Sequence, residues 1–132
     1  MTDRWLVKVR GEFSAAHALR RYEGKCERLH GHNFSVEICA GGSELDPDTG
    51  LLLDFKVLKA ALRRALEELD HSVINDLPPF LVENPSSENI AKYLWERLET
   101  LLAEDPRASR AALEYVEVSE KAAQSARYCR LK

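Results

Sequence analysis

The segment CERLHGH, residues 26–32, sets a cysteine four positions ahead of a His-Gly-His. The chain has four histidines, His17, His30, His32 and His71, and two of them fall in this segment. Residues two apart in a strand point to the same side. His30 and His32, straddling Gly31, can therefore turn both rings to one point. His17 sits just past the end of an upstream strand. If the two strands pair as a hairpin, His17 arrives at the same point. Three neutral imidazoles suit zinc and leave its fourth position open, the catalytic arrangement. An isolated H-x-H reads equally well as two ordinary polar loop histidines; the third histidine at the facing strand end favours a metal.

Other groups could do chemistry beside such a site. Cys26 lies in the loop leading to two of the histidines, between Lys25 and Glu27. A nearby metal or cation favours the thiolate, which can serve as base or nucleophile. Cys39 and Cys129 read instead as small hydrophobes. Asp70 next to His71 can fix the imidazole tautomer, although a histidine at a helix C-terminus is also favoured by the dipole alone. Glu120, at the end of a strand, reads on its own as a solvated charge. Arg20, Arg21, Lys25 and Arg28 make the hairpin loop basic in a chain of net charge −3. A solvated loop explains such a cluster, and steering of a triphosphate is the alternative.

The elements that position these groups are legible from periodicity. WLVKVRGEF (5–13) and HNFSVEICA (32–40) alternate as strands. GGSELDPDTG (41–50) is turn chemistry. A helix is predicted from about Phe55 to Leu69, with Phe55, Leu58, Leu62, Leu66 and Leu69 on one face and Asp54 as N-cap. The prolines of NDLPPFLVENP block regular helix. A second helix starts near Ser86–Ser87, which cap it, and turns Ile90, Leu94, Leu98 and Leu101 inward. ALEYVEVSE and SARYCRLK close the chain as two strands around a turn near Lys121–Gln124. The order ββααββ predicts an α+β fold, a four-stranded antiparallel sheet with two helices on one face. The outer face carries Lys8, Arg10 and Glu37 beside Leu6 and is expected to be only partly wet.

The 132 residues suit a single domain over 1–132. The acidic balance gives no reason to expect nucleic acid or an anionic membrane as partner. No apolar run approaches a membrane span or an export leader. Three cysteines without a leader argue for reduced thiols and a cytoplasmic address.

FSAAH, CERLHGHN, LLLDF, LDHSVIN and PSSEN, with Glu120 after EYVEV, follow one another in an order that resembles the 6-pyruvoyl-tetrahydropterin synthase family, which includes the 6-carboxytetrahydropterin synthases of queuosine biosynthesis. Any one piece is weak; the combination, over about residues 10 to 120, is specific. The resemblance implies the tunnelling (T) fold, assembled as a trimeric barrel and a homohexamer of two trimers. It implies zinc (Zn2+) held by His17, His30 and His32, and Cys26 as general base assisted by an Asp70–His71 proton relay. It implies Glu120 gripping the amino group and ring N–H of a pterin, with 7,8-dihydroneopterin triphosphate as substrate. Lys121 stands where the family commonly has threonine, and Ser86–Ser87 where it often has Pro-Thr.

Three residues, Glu27, Arg28 and Leu29, separate Cys26 from His30. This short spacing resembles the queuosine-pathway members. The expected reaction is therefore that of a zinc-dependent lyase giving 6-carboxy-5,6,7,8-tetrahydropterin, with loss of triphosphate and acetaldehyde. Retention of the three-carbon chain as 6-pyruvoyl-tetrahydropterin stays open, as does side-chain cleavage without triphosphate loss toward folate. Two non-enzymatic alternatives are a pterin-binding zinc module and a small structural zinc protein. The open fourth position speaks against the last.

Overall fold

A period-two alternation of apolar side chains runs along three long strands and gives the sheet they form one apolar face. The protein, described by a computed structural model over residues 3–24 and 28–131, begins with β1 (Trp5–His17) and β2 (His30–Gly42), paired antiparallel from Trp5↔Gly42 to His17↔His30. The central strand β2 then pairs antiparallel with β4 (Ala112–Lys121), and β4 with β5 (Gln124–Tyr128). Two helices, α1 (Phe55–Glu67) and α2 (Ser87–Ala103), lie between the strand pairs in sequence. This is the expected ββααββ frame.

One element is additional. Ser72–Val73 form a two-residue strand, β3, parallel to β1 at Ala15 and Ala16, so the sheet order is β3-β1-β2-β4-β5. Two residues carry no alternation to read, and the pairing is set by the chain leaving α1. The proline-rich segment forms short 3-10 turns at Ile74–Asp76 and Pro78–Phe80.

The helices form where the caps and apolar stripes dictate. Asp54 accepts the N–H of Lys56 at 2.9 Å, and Ser86 that of Asn89 at 3.1 Å, so both expected caps are in place. The inward face of α1 is Val57, Leu58, Leu62, Ala65 and Leu66; that of α2 is Ile90, Ala91, Leu94, Trp95 and Leu98. Phe55, expected on the inward stripe, is exposed. Helical side chains lean toward the N-terminus, so a ring on the first residue projects past the helix start. The helices cover Val9, Phe13, Phe34, Val36, Ile38, Val116 and Val118 of the sheet. Gly11 lets α1 settle on β1, since a Cβ there would lie 3.1 Å from Leu62 Cδ2 and 3.2 Å from Leu66 Cδ1.

On the other face, Glu37 is buried although charged. Arg10 donates to its Oε1 at 2.7 Å and the Tyr115 hydroxyl to its Oε2 at 2.6 Å. Those two bonds hold the Glu37 carboxyl below the usual carboxylate range, with Tyr115 the larger cause. Cys39 is buried on this face, and burial raises its thiol. Cys129, expected to pack as a small hydrophobe, is exposed beyond the end of β5.

Candidate functional site

The alternation that builds the core also builds the site. On β1 the helix-facing positions run Val9, Phe13, Ala15 and then His17; on β2 they run His30, His32 and then Phe34, Val36 and Ile38. On β4 they run Val116, Val118 and then Glu120. Three strands thus carry their core-facing registers past the last apolar side chain into polar ones at the same end of the sheet. His17 is inside β1 rather than just beyond it, and it pairs directly with His30.

The side chains meet there. Ring centroids are 4.6 Å apart for His17 and His30, 4.8 Å for His30 and His32, and 5.8 Å for His17 and His32. One ligand atom from each of His17, His30, His32 and Glu120 lies within 4.8 Å of the other three. Phe34 floors the cluster, its ring edge-on to His17 at 5.2 Å and stacked on Phe13 at 4.8 Å.

Backbone carbonyls set the tautomers. His17 Nδ1 is 2.7 Å from the carbonyl of Pro85, and His30 Nδ1 is 2.7 Å from that of Arg28. A carbonyl can only accept, so each Nδ1 carries the proton and each Nε2 offers a lone pair. His17 is 1% exposed, and burial holds its ring below the ordinary imidazole value, keeping it neutral. Its Nε2 is buried without a hydrogen-bond partner, yet Glu120 Oε1 lies 3.2 Å away; Glu120 Oε2 is 3.4 Å from His32 Nε2. His17 Nε2 and Glu120 Oε1 are then two acceptors facing each other, and a proton or a metal ion between them satisfies both. Donors about 2.0–2.1 Å from a tetrahedral zinc stand about 3.3 Å apart. The donor set therefore fits a divalent metal.

The loops that hold His17 are splinted by two asparagines. Asn75 accepts the N–H of Ala18 at 2.9 Å and donates to its carbonyl at 2.8 Å. Asn84 does the same for Arg20, at 2.8 Å and 2.9 Å, and its own carbonyl accepts from Asn89 at 2.9 Å. Their amides replace the partner strand that residues 18–20 lack, and they fix Pro85 against His17. Arg20 donates to the carbonyls of Glu83 and Asn75, so its guanidinium is engaged in this splint. Sequence reasoning missed Pro85, Asn75 and Asn84, because a carbonyl has no residue signature and asparagines in a proline-rich segment read as turn.

Asp70 and His71 do meet. Asp70 Oδ2 is 3.0 Å from His71 Nδ1, and Oδ1 accepts the Ser14 N–H at 2.9 Å. Those bonds, Ser14's first, hold the Asp70 carboxyl below its usual range. His71 takes a left-handed backbone, φ 57°, as the chain leaves α1 for β3, and its N–H bonds the Ser14 carbonyl at 2.6 Å. The ring is 83% exposed. Ser14 precedes His17 by three residues, about 10 Å along a strand. Within one chain the pair stands apart from the histidine cluster, at the β3 edge. Cys26 lies outside the described residues.

The family signal spans this whole frame: the chain matches 6-pyruvoyl tetrahydropterin synthase over residues 6–130. The chain belongs to the 6-pyruvoyl tetrahydropterin synthase family. It is 38% identical over 128 residues to a 6-carboxy-5,6,7,8-tetrahydropterin synthase of Synechocystis, covering 94% of this chain and 92% of that one. It is 36% identical to a dihydroneopterin monophosphate aldolase of Pyrococcus furiosus, over 81% of this chain and 86% of that one. The 6-pyruvoyl tetrahydropterin synthase structure of Caenorhabditis elegans superposes with a TM-score of 0.83 at 26% identity, over 98% of both chains. The tunnelling fold expected from the sequence is thereby shown for this family member. No helix among the described residues is long and apolar enough to cross a membrane.

Proposed function

We propose that this chain is the zinc-dependent lyase that converts 7,8-dihydroneopterin triphosphate to 6-carboxy-5,6,7,8-tetrahydropterin, losing triphosphate and acetaldehyde, as in queuosine biosynthesis. The observation that carries the reading is the convergence of His17, His30 and His32, two of them with Nδ1 tied to a backbone carbonyl, at a site bordered by Glu120. Zinc held there would supply Lewis acidity toward the vicinal hydroxyls of the pterin side chain. Cys26 moves a proton between side-chain carbon and oxygen, and His71, oriented by Asp70, assists it. Glu120 accepts two N–H bonds from the pterin ring.

Glu120 also borders a recess of about 300 Å³ lined by Ser87, Gln124 and Ser125. That volume is at the small end for ligand sites, and its walls mix apolar surface from Leu19 and Ala126 with the polar groups of Ser87, Gln124 and Ser125, which suits a flat ring with a polar edge. The exposed His71 fits an active site completed by a second copy, in a homohexamer of two trimers. Light scattering that found an active monomer would refute the assembly. The reading places one domain over residues 1–132 in the cytoplasm.

A second reading is favoured by the Pyrococcus relative, whose name describes an aldolase acting on a dihydroneopterin phosphate. The deciding experiment is product analysis. Purified protein is given dihydroneopterin triphosphate, the pterin is identified by mass spectrometry, and acetaldehyde is assayed enzymatically. 6-Carboxytetrahydropterin with acetaldehyde is expected. 6-Pyruvoyl-tetrahydropterin without acetaldehyde moves the assignment to the pyruvoyl branch, and 6-hydroxymethyl-dihydropterin to side-chain cleavage. No turnover leaves a pterin-binding module.

A further inference from the structure

Glu120 stands at the boundary of two recesses. One takes the ring in the proposed reaction. The other, of about 340 Å³, opens on the sheet face that no helix covers. Strand alternation builds it: β2 sends Asn33 and Ser35 to that face, and β4 sends Ser119 and Lys121. Ser35 and Ser119 pair across the two strands, and Ser125 of β5 closes a third side. Between the pairs Val118↔Ala126 and Lys121↔Gln124, two residues of β4, Ser119 and Glu120, face Ser125 alone. A bulge of this kind bends and twists the ladder and leaves groups unpaired beside the recess.

Most charges around this recess already have partners. Arg10 and the Tyr115 hydroxyl hold Glu37, and Arg127 holds Glu117 at 3.0 Å. Glu120 turns its carboxylate to His17 and His32. Glu12, next in the row past Ser35, lines a separate recess with Lys59 and Arg63 at the β1 edge. Lys121 is exposed and has no ion-pair partner among the described residues. Its ammonium stands with three serine hydroxyls and the amide of Asn33, whose oxygen is taken by the Ser14 hydroxyl at 2.6 Å. Hydroxyl and amide donors around one ammonium suit a tetrahedral oxyanion. The hairpin loop that could have steered a triphosphate is less free to do so, because the Arg20 guanidinium is bound to the carbonyls of Glu83 and Asn75.

We infer that Lys121, with Asn33, Ser35 and Ser119, forms an oxyanion subsite that takes a phosphoryl group on the uncovered face of the sheet. The subsite stands on this lining. Only the source of the phosphoryl group rests on the proposed function, which supplies two: the triphosphate tail of the substrate and the triphosphate released from it. The two recesses adjoin at Glu120 and Ser125, which brings either source next to the subsite. Lys121 stands where the family commonly has threonine, so the subsite is a property of this chain rather than of its fold.

The probe is inorganic triphosphate, titrated by calorimetry into the purified, zinc-loaded protein. Lys121→Thr removes the charge, and the pair Ser35→Ala, Ser119→Ala removes two hydroxyls and keeps it. Lys8→Thr is the control. Lys8 lies on the same face, paired with Cys39, four residues or about 13 Å along β2 from Ser35, beyond the screening length of about 8 Å at physiological salt. Circular dichroism checks the fold of each variant. Lys121→Thr is expected to bind triphosphate at least about tenfold more weakly than wild type, the scale of a hydrogen bond to a charged group, and the serine pair about threefold more weakly. Lys8→Thr should stay within about twofold of wild type. Affinity in folded Lys121→Thr equal to wild type, or an equal loss in Lys8→Thr, would overturn the subsite. Kinetics then identify the source. A KM for dihydroneopterin triphosphate that rises in Lys121→Thr at unchanged kcat assigns the subsite to the tail. An unchanged KM with weakened inhibition by added triphosphate assigns it to the released anion. Protein that binds triphosphate through Lys121 yet turns over no dihydroneopterin triphosphate keeps the subsite and overturns the lyase reading.

Discussion

Asn84 makes no contact with the metal position, yet Asn84→Ala should weaken metal binding. Its amide accepts from Arg20 N–H at 2.8 Å and donates to the Arg20 carbonyl at 2.9 Å, and the next residue's carbonyl orients His17 at 2.7 Å. Truncation removes both amide bonds, each worth about 0.5–1.5 kcal/mol net, so the folding cost is about 1–3 kcal/mol. The segment is only half-buried and water replaces part of the loss, which favours the lower end. The effect on the metal is separate. With residues 84–85 unpinned, the Pro85 carbonyl no longer selects the Nδ1–H tautomer of His17, and affinity should fall by about 10–100-fold, the range for outer-shell partners.

Chelator competition measures the affinity and urea unfolding the stability. Leu98→Ala is the control. It lies far along α2 from Pro85, is fully buried, and should cost about 2–5 kcal/mol. It is expected to destabilise more than Asn84→Ala while leaving metal affinity within twofold of wild type. Asn84→Ala that loses stability but keeps wild-type affinity, or loses no more affinity than Leu98→Ala, would refute the splint as a positioning device.

Cys26→Ala should lose about 10²–10⁴-fold in turnover, the worth of a general acid–base group, with zinc content and circular dichroism retained; comparable loss in Cys39→Ala would point to packing instead. Glu37 should give the protein an acid-sensitive limb of stability. Its folded value is depressed, so its contribution is complete above the unfolded value near 4.5 and is lost as pH falls through the lower folded value. Urea unfolding between about pH 3 and 7 should show that limb flattened in Glu37→Gln. An unchanged limb would remove Glu37 as its source.

The strands and both helices were legible because their patterns are local: alternation in residues 32–40, a stripe at Leu58, Leu62 and Leu66, caps at Asp54 and Ser86. The three histidines were legible because a period of two in β2 leaves His30 and His32 on one side. Three features were not. The strand Ser72–Val73 is too short to show a pattern, and its pairing depends on the left-handed backbone of His71, which no neighbouring residue dictates. The exposure of Phe55 follows from where the helix begins relative to the sheet. The approach of Glu120 to the cluster needs the order β1-β2-β4, a long-range fact of topology, so in sequence it resembled any solvated strand-end carboxylate.

The placement of the site has a consequence for stability. His17 occupies a position that continues the apolar register of Val9 and Phe13, and its Nε2 is buried without a hydrogen-bond partner. A buried acceptor left unpaired costs about 1–3 kcal/mol. Metal binding satisfies that acceptor and, because the unfolded chain does not gather three imidazoles, stabilises only the folded state. The gain is RT ln(1 + [M]/Kd), about 2.7 kcal/mol at a hundredfold excess over Kd. The melting temperature should therefore rise with zinc concentration and fall on chelation, which differential scanning calorimetry can follow. In the double variant His30→Ala, His32→Ala the zinc-dependent rise should vanish. Its melting temperature without metal should change little, since both rings are only partly buried. A wild-type melting temperature indifferent to zinc and chelator, or a rise that survives in the double variant, would show that the metal is held elsewhere or not at all.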